Sequence, residues 1–393
     1  MKSMLNNLVT TLNLTRTDKP AISLDQHTEK KLSLESCDVS IIGCHELDEV
    51  TYGFWLDLHR SNPELESPNF HPEYTKAVDS VRDDVRIAVI RDDEGELVGI
   101  FPFQQSGECS AFPAGNRMND YHGVMTAPGV EIDPVALLKK LNIKRLTFHA
   151  ISTNREPFEK YQFEMIPSYS LDMSSGLDTY MDWLCKRSRT IKELPRKIRG
   201  LERDFGPVRF EHNCKSLDVL DHVIELKRKK YQRTKIFDIL SVDWASNLLR
   251  AIHQEEVDGL RSSLSVLWAN DTLVAAHFGM VSGDVMQYWF PAFDPEYSKY
   301  SPGLQLLVDL IRSNSEAGIN KIDFSYGSSR YKETFANSQR DVIFGQVNSN
   351  PLMFQLAKQR YQLRIKLKGV PMKKHLKVVL RMLYPGYGNW HYR

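Results

Sequence analysis

The chain has 393 residues, of which 41% are hydrophobic and 26% charged, enough to build two domains of ordinary size, each with its own core. Lysine plus arginine (51) nearly balance aspartate plus glutamate (50), so net charge alone selects no class of partner. The cysteines (Cys37, Cys44, Cys109, Cys185, Cys214) are scattered without CxxC spacing, which excludes a disulfide scaffold and a cysteine-based metal site and fits reduced thiols. No apolar run approaches the roughly 18–20 residues that span a bilayer, and Met1 to Lys31 lacks a signal-peptide core. A metal-free cytoplasmic protein is expected.

Residues 1–35 read as a polar lead-in with little core. The apolar periodicity predicts helices at about 46–60 and 72–80. Val85 to Ile90, the turn Asp92-Asp93-Glu94-Gly95 and Leu97 to Phe103 predict a β-hairpin, and Arg145 to His149 a further strand. This makes a mixed α/β unit over 36–170. In the next unit, 171–347, Leu177 to Asp204 is a helical stretch interrupted by Pro195. Ser216 is placed to cap a helix whose Leu217, Leu220, Val223, Ile224 and Leu226 share a face, and Asp243 to cap another carrying Trp244, Leu248, Leu249 and Ile252. Leu264 to Ala269, Leu273 to Val281 and Val285 to Ala292 follow, separated by Asn270-Asp271 and Ser282-Gly283-Asp284, the pattern of an antiparallel meander. A helix and a strand at Lys321 to Ser325 close the unit, and 348–393 is a basic tail. The fold class is α/β with a mixed (α+β) sheet.

The helix after the meander begins Tyr300-Ser301-Pro302-Gly303-Leu304-Gln305. Ser301 suits the N-cap and Pro302 the first helical position, with Gly318 as the residue just past the end. Gly303 is an odd choice there, since glycine in a helix costs up to about 1 kcal/mol relative to alanine. It clears the space where free N–H groups point outward, which suits a phosphate. Ser301, Gly303, Leu304 and Gln305 are therefore candidate anion-binding residues, against the plainer reading of a capped helix with an incidental glycine.

The motifs Ala275-Ala276-His277-Phe278-Gly279, Ser301-Pro302-Gly303, Asp323-Phe324-Ser325-Tyr326-Gly327 and Tyr331-Lys332 resemble the branch of the GNAT superfamily associated with cellulose and exopolysaccharide biosynthesis. That branch is related to the Fem-type aminoacyl-transferases. In the first half, Ser67-Pro68-Asn69-Phe70-His71-Pro72 and Asn119-Asp120-Tyr121-His122-Gly123-Val124 carry the same likeness, which spans about 37–347. It implies two GNAT-like domains, the C-terminal one more complete, and an acyl-coenzyme A donor whose pyrophosphate rests on the helix start at Ser301. The usual Arg/Gln-x-x-Gly-x-Gly/Ala signature is absent, and Lys299 to Gly303 matches it only in part.

Acyl transfer from a thioester needs a base for the acceptor, a donor to the carbonyl oxygen and a proton for the departing thiolate. His277, set among small residues in a strand, is a candidate titrating group, and Asp323, at a strand end, could orient His277, serve as the base or fix the acceptor. Tyr331 and Lys332 are candidates for protonating the thiolate and for holding phosphate or polarising the carbonyl. Asp120, Tyr121 and His122 are candidate acceptor-binding residues. Each has a plainer reading: a hydrogen-bonded core histidine, a turn-capping aspartate, a packed tyrosine, a surface lysine. No nucleophile elbow, HExxH or Walker A sequence appears, so direct transfer is expected over a covalent enzyme intermediate.

Residues 186–203 carry eight basic residues against Glu193 and Glu202, and 351–393 carry ten with no acidic residue. Leu363, Ile365, Leu367, Val370, Leu376, Val379 and Leu380 lend the tail an amphipathic look, which suits peripheral contact with anionic lipid at the inner face of the membrane. A helix packed on the second domain is the plainer alternative, and tRNA binding a third. The function expected is acyl transfer, with acetyl as the group, from coenzyme A to an amine or hydroxyl of a sugar or lipid-linked glycan. The alternatives are an aminoacyl-tRNA-dependent transferase and a non-catalytic scaffold in a polysaccharide-synthesis complex.

Overall fold

The computed structural model describes residues 32–255, 257 and 259–368. Its first half runs β1 (Leu32–Ser33), β2 (Asp38–Ile42), α1 (Glu49–Ser61), α2 (Pro72–Asp79), β3 (Val85–Arg91), β4 (Leu97–Ser106), β5 (Ser110–Pro113), β6 (Met125–Thr126), β7 (Val130–Glu131), α3 (Pro134–Lys140), β8 (Arg145–Ile151), α4 (Glu156–Glu159) and β9 (Gln162–Asp172). The second continues α5 (Leu177–Arg187), α6 (Arg189–Lys192), α7 (Leu194–Phe205), β10 (Val208–Glu211), α8 (Leu217–Thr234) and α9 (Asp243–Gln254). Then come β11 (Arg261–Ala269), β12 (Thr272–Ser282), β13 (Val285–Phe293), α10 (Pro302–Glu316), β14 (Lys321–Tyr326), α11 (Arg330–Phe335), β15 (Ser338–Asn348) and α12 (Pro351–Lys368).

Local chemistry sets these boundaries. Asp48 accepts from the Thr51 N–H at 2.7 Å and starts α1, and Ser216 does the same for α8 through Val219, each satisfying a first-turn donor. Pro195 falls in the first turn of α7, where its missing N–H costs nothing. The predicted stretch 177–204 accordingly becomes three helices. Asp243 is the first residue of α9 rather than its cap, a place held by Val242; its carboxylate still lies beside the positive end of the helix.

One mixed sheet joins the halves in the order β10-β11-β12-β13-β14-β9-β15-β8-β5-β4-β3-β2, with β6 on β4. Moving outward from β9 and β15, each side shows the same sequence of pairings. First comes an antiparallel neighbour (β14 or β8), then a parallel one (β13 or β5), then antiparallel strands to the edge. β9, from the first half, lies beside β14, and β15, from the second, lies beside β8. The chain crosses over at the middle, so the division expected near residue 170 is not a break in the sheet.

Helices α8 and α9 cover one face of the second half together with Ala276, Phe278 and Met280. α10 covers the other, against Ala275, Val281, Met286 and Tyr288. The lead-in expectation needs correcting at its end. β1 pairs with β7 and Leu34 is fully buried, because this short segment closes over the core of the first half. Residues 1–31 lie outside those described.

α12 packs Phe354 and Tyr361 against Tyr161 and Phe163, while Leu363 and Ile365 are exposed. These last two, among the apolar residues that gave the tail its amphipathic look, are therefore not on its inward face. Val370, Leu376, Val379 and Leu380 lie outside the described residues. Among the described residues no helix is long and apolar enough to cross a membrane.

Candidate active site

β13 and β14 run in parallel only from Val285↔Lys321 to Gln287↔Asp323, and beyond that rung the two strands part. Parallel neighbours in register point their side chains to one face, so Gln287 and Asp323 stand together at the mouth of the opening. Gln287 Nε2 donates to Asp120 Oδ2 at 2.6 Å and to Asn69 Oδ1 at 3.1 Å. Asp323 Oδ1 accepts from the Tyr121 hydroxyl at 2.7 Å and from the Ser325 N–H at 2.6 Å. The Tyr121 hydroxyl also lies 2.6 Å from Ser168 Oγ on β9. Arg340 on β15 reaches within 3.8 Å of Asp323 Oδ2 and lies over the Tyr121 ring. The first half thus delivers Asn69, Asp120 and Tyr121 to a site built on strands of the second.

The two carboxylates differ in what surrounds them. Asp323 is buried and bonded to Tyr121 and the Ser325 N–H, with Arg340 close by; the bond to Ser325 holds that residue at φ +64°, a strained conformation for a non-glycine side chain. It is an anchor. Asp120 is only partly buried. Burial pushes its carboxyl up to about 6, against the lowering influence of the Gln287 amide and of Lys332, and nearby Asp323 adds to the rise. A carboxylate that titrates near neutrality beside an opening suits a general base.

Lys332 and Tyr331 stand on α11, one turn after β14. Lys332 Nζ donates to the Ser325 and Tyr326 carbonyls at 3.2 and 2.8 Å, so it fastens the end of β14. Burial lowers its pKa while Asp120 and Asp323 oppose that. Tyr331 meets the rings of Tyr288 and Phe324 edge-on. Burial and the charge of Asp120 raise its hydroxyl pKa, leaving it a neutral hydrogen-bond donor at pH 7.

Two of the predicted residues do not join this cluster. His277 is fully buried, its Nε2 accepts from the Trp289 N–H at 3.2 Å, and its ring lies flat on Tyr288 at 4.3 Å. Burial drives its pKa well below the usual value. Asp323 does not orient it, since β13 stands between their strands. His122 bridges to Ile151 and packs on Phe101 at 5.1 Å, inside the core of the first half.

At the start of α10, Ser301 departs from its expected role. Its backbone is left-handed at φ 58° and its side chain makes no cap bond; instead Ser301 Oγ accepts from Lys197 Nζ at 2.8 Å. Leu304 and Gln305 N–H groups both bond to the Ser301 carbonyl, and Pro302 has no N–H. Gly303 therefore holds the single unpaired N–H of this turn among the described residues. A Cβ on Gly303 would sit 3.4 Å from the Phe293 ring, an ordinary contact, so packing does not demand glycine here. Leu304 packs toward the core, and Gln305 turns its amide to the Asp309 carboxylate at 2.8 Å.

Sequence reasoning missed Gln287, Arg340, Ser168 and Lys227. Lys227 is buried on α8, its Nζ donating to the Pro291 carbonyl at 3.1 Å. Burial pushes its pKa down to about 7; Lys230 and Lys332 push the same way and Asp120 opposes them. Gln287, a polar residue inside a buried run, and Lys227, on the stripe Leu220-Val223-Ile224, were both visible as breaks in apolar pattern. Among the described residues no group of histidine, cysteine and carboxylate side chains is placed to hold a metal ion.

Residues 188–333 match the family model for an acetyltransferase (GNAT) domain, the span that contains β13, β14, α10 and the start of α11. The chain is thus an enzyme with a match to a GNAT acetyltransferase domain over 188–333, and its two halves repeat one order of strand pairings within a single sheet. No curated protein matches the sequence. Among solved structures it is similar to the C-terminal domain of a putative lysylphosphatidylglycerol synthetase from Agrobacterium fabrum (12% identity, 82% of this chain and 98% of that one, TM-score 0.49). It is also similar to a tandem GNAT protein from the clavulanic acid biosynthesis pathway (11%, 80% and 99%, TM-score 0.48), and to FemX (12%, 70% and 90%, TM-score 0.46).

Proposed function

We propose that the protein transfers an acyl group, acetyl in the simplest case, from coenzyme A to an amine or hydroxyl of a sugar or polysaccharide precursor. Transfer is direct. The acceptor loses its proton to Asp120, attacks the thioester carbonyl in the opening between β13 and β14, and the tetrahedral intermediate collapses with loss of the thiolate. Tyr331 donates a hydrogen bond to the departing sulfur, while Lys332 and Asp323 hold the walls that position both groups. The donor's phosphates meet the Gly303 N–H and the Lys197 ammonium at the start of α10, a pairing of backbone donor and cation that favours an anion.

The observation that carries this reading is Asp120: a half-buried residue whose carboxyl accepts from Gln287 and is raised toward neutrality, at the mouth of a splayed parallel pair within the matched domain. Replacing Asp120 by asparagine and following thiol release from acetyl-CoA tests it. Loss of turnover with retained acetyl-CoA binding supports the role, and unchanged turnover removes it. The exposed basic residues of α6 and α7 support a second reading, an aminoacyl-tRNA donor. That reading requires salt-sensitive tRNA binding and no heat with acetyl-CoA alone. The basic, partly apolar surface of α12 supports peripheral contact with anionic lipid at the inner face of the membrane; residues 369–393 of the same tail lie outside those described.

A further inference from the structure

α8 carries a run of cations, Lys227-Arg228-Lys229-Lys230, and they fall into two kinds. Arg228 pairs with Asp238 at 3.0 Å and Lys229 with Glu225 at 2.8 Å, both away from the sheet. Lys227 and Lys230, one turn apart on the same side of the helix, have no carboxylate within 4 Å among the described residues. Lys227 is only 7% exposed, and its single hydrogen bond goes to a neutral carbonyl. An ammonium has three donors, and a buried charge without a counter-ion is costly. Tyr231 and Phe290 wall it in, each ring centre 5.5 Å from Nζ.

The charge of Lys332 is felt by Lys227, and Asp120 opposes both, joined by Asp323 at Lys332. Asp323 has its own neutralising partner in Arg340. With Asp323 and Arg340 paired, Lys227 and Lys332 face the single carboxylate of Asp120, and Lys227 stands on the helix that covers the sheet face opposite α10. The donor phosphates do not account for that charge, since their place is at the start of α10.

We propose that the acceptor carries a phosphate or carboxylate of its own, which Lys227 and Lys230 hold while its amine or hydroxyl faces Asp120. This rests on the acyltransferase reading above and adds the class of acceptor to it. Such an anion supplies the missing counter-charge for Lys227, and it orients the nucleophile by a fixed second contact.

Calorimetry on the full chain with glucosamine and glucosamine 6-phosphate, identical in amine and ring, is the direct test. The phosphate ester should bind at least about tenfold more tightly. Lys227→Met, which removes an unpaired buried charge and should leave the melting temperature unchanged or raised, should erase that difference, and Lys230→Gln should reduce it. Lys197→Met, at the start of α10, should preserve it. Equal affinity for the two sugars overturns the proposal, as does loss of the preference in Lys197→Met in place of Lys227→Met. Acetyl-CoA titrated separately keeps the two claims apart. Heat with acetyl-CoA but no anion preference sinks only the acceptor class, whereas no heat with acetyl-CoA sinks the acyltransferase reading.

Discussion

The two parallel pairs of the sheet, β13/β14 and β5/β8, occupy equivalent places in the two halves and meet different fates. β5 and β8 pair only at Ser110↔Arg145 and Ala111↔Leu146. The free edge of β8 is then taken by the chain itself, with the His122 N–H bonded to the Ala150 carbonyl and the Ser152 N–H to that of His122. Met118, Asn119, Tyr121 and His122 are all buried, so this opening is plugged. The opening beyond Gln287 and Asp323 instead has partly exposed Asp120, Tyr331 and Lys332 around it. The segment that fills the first gap also supplies Asp120 and Tyr121 to the second. A repeated order of strand pairings thus leaves one opening ringed by polar side chains, while the other anchors the loop that supplies two of them.

The largest expected effect comes from separating two neighbours on that loop. Asp120→Asn should lower kcat by about a hundredfold or more, the usual scale for a lost general base. His122→Gln, two residues on but inside the plugged half, should leave kcat within about threefold of wild type. Equal losses in both variants would make the loop merely structural. The pH profile sharpens the same point. Asp120 acts as a base only when ionised, so kcat/KM should rise as pH increases to about 6 and level off above it. A flat profile from pH 5 to 8 would remove Asp120 as the base.

A smaller effect is expected at the donor end. Gly303→Val places side-chain atoms in ordinary contact with Phe293, so the melting temperature should hold while acetyl-CoA affinity falls by about tenfold. Unchanged affinity would leave the start of α10 without a ligand. The smallest effect concerns the joint between the halves. His59 on α1 bonds to Ser282 Oγ on β12 at 2.9 Å, and burial lowers its pKa to about 4. Its neutral form is favoured by folding, so its contribution is full above the unfolded value near 6.5 and is lost as pH falls toward 4. Thermal melts from pH 7 to 4.5 should show a decline that is weaker in His59→Gln.

Much of the second half was legible in the sequence because the meander, its turns and the amphipathic helices are local patterns. The left-handed Gly318 past α10, the Pro195 break and the three runs of β11 to β13 all follow from residues near in the chain. The site was legible only in pieces. Asp120, Tyr121, Asp323, Tyr331 and Lys332 were each singled out, yet their partners Gln287, Ser168 and Arg340 arrive from distant strands. The crossing of β9 and β15 that brings Ser168 and Arg340 to Asp323 leaves no local signal. His277 misled for the opposite reason. A histidine among small residues looks like a cleft, but Gly279 is small because its Cβ would sit 2.1 Å from the Gln287 carbonyl, where β13 bulges toward it.

Titration of acetyl-CoA into the full chain, with the number of sites counted, bears most directly on the claim that one opening works and the other is plugged. The expected result is one equivalent bound per chain, with affinity weakened in Gly303→Val and preserved in His122→Gln. Two equivalents per chain, none at all, or binding that His122→Gln weakens and Gly303→Val does not, would contradict it.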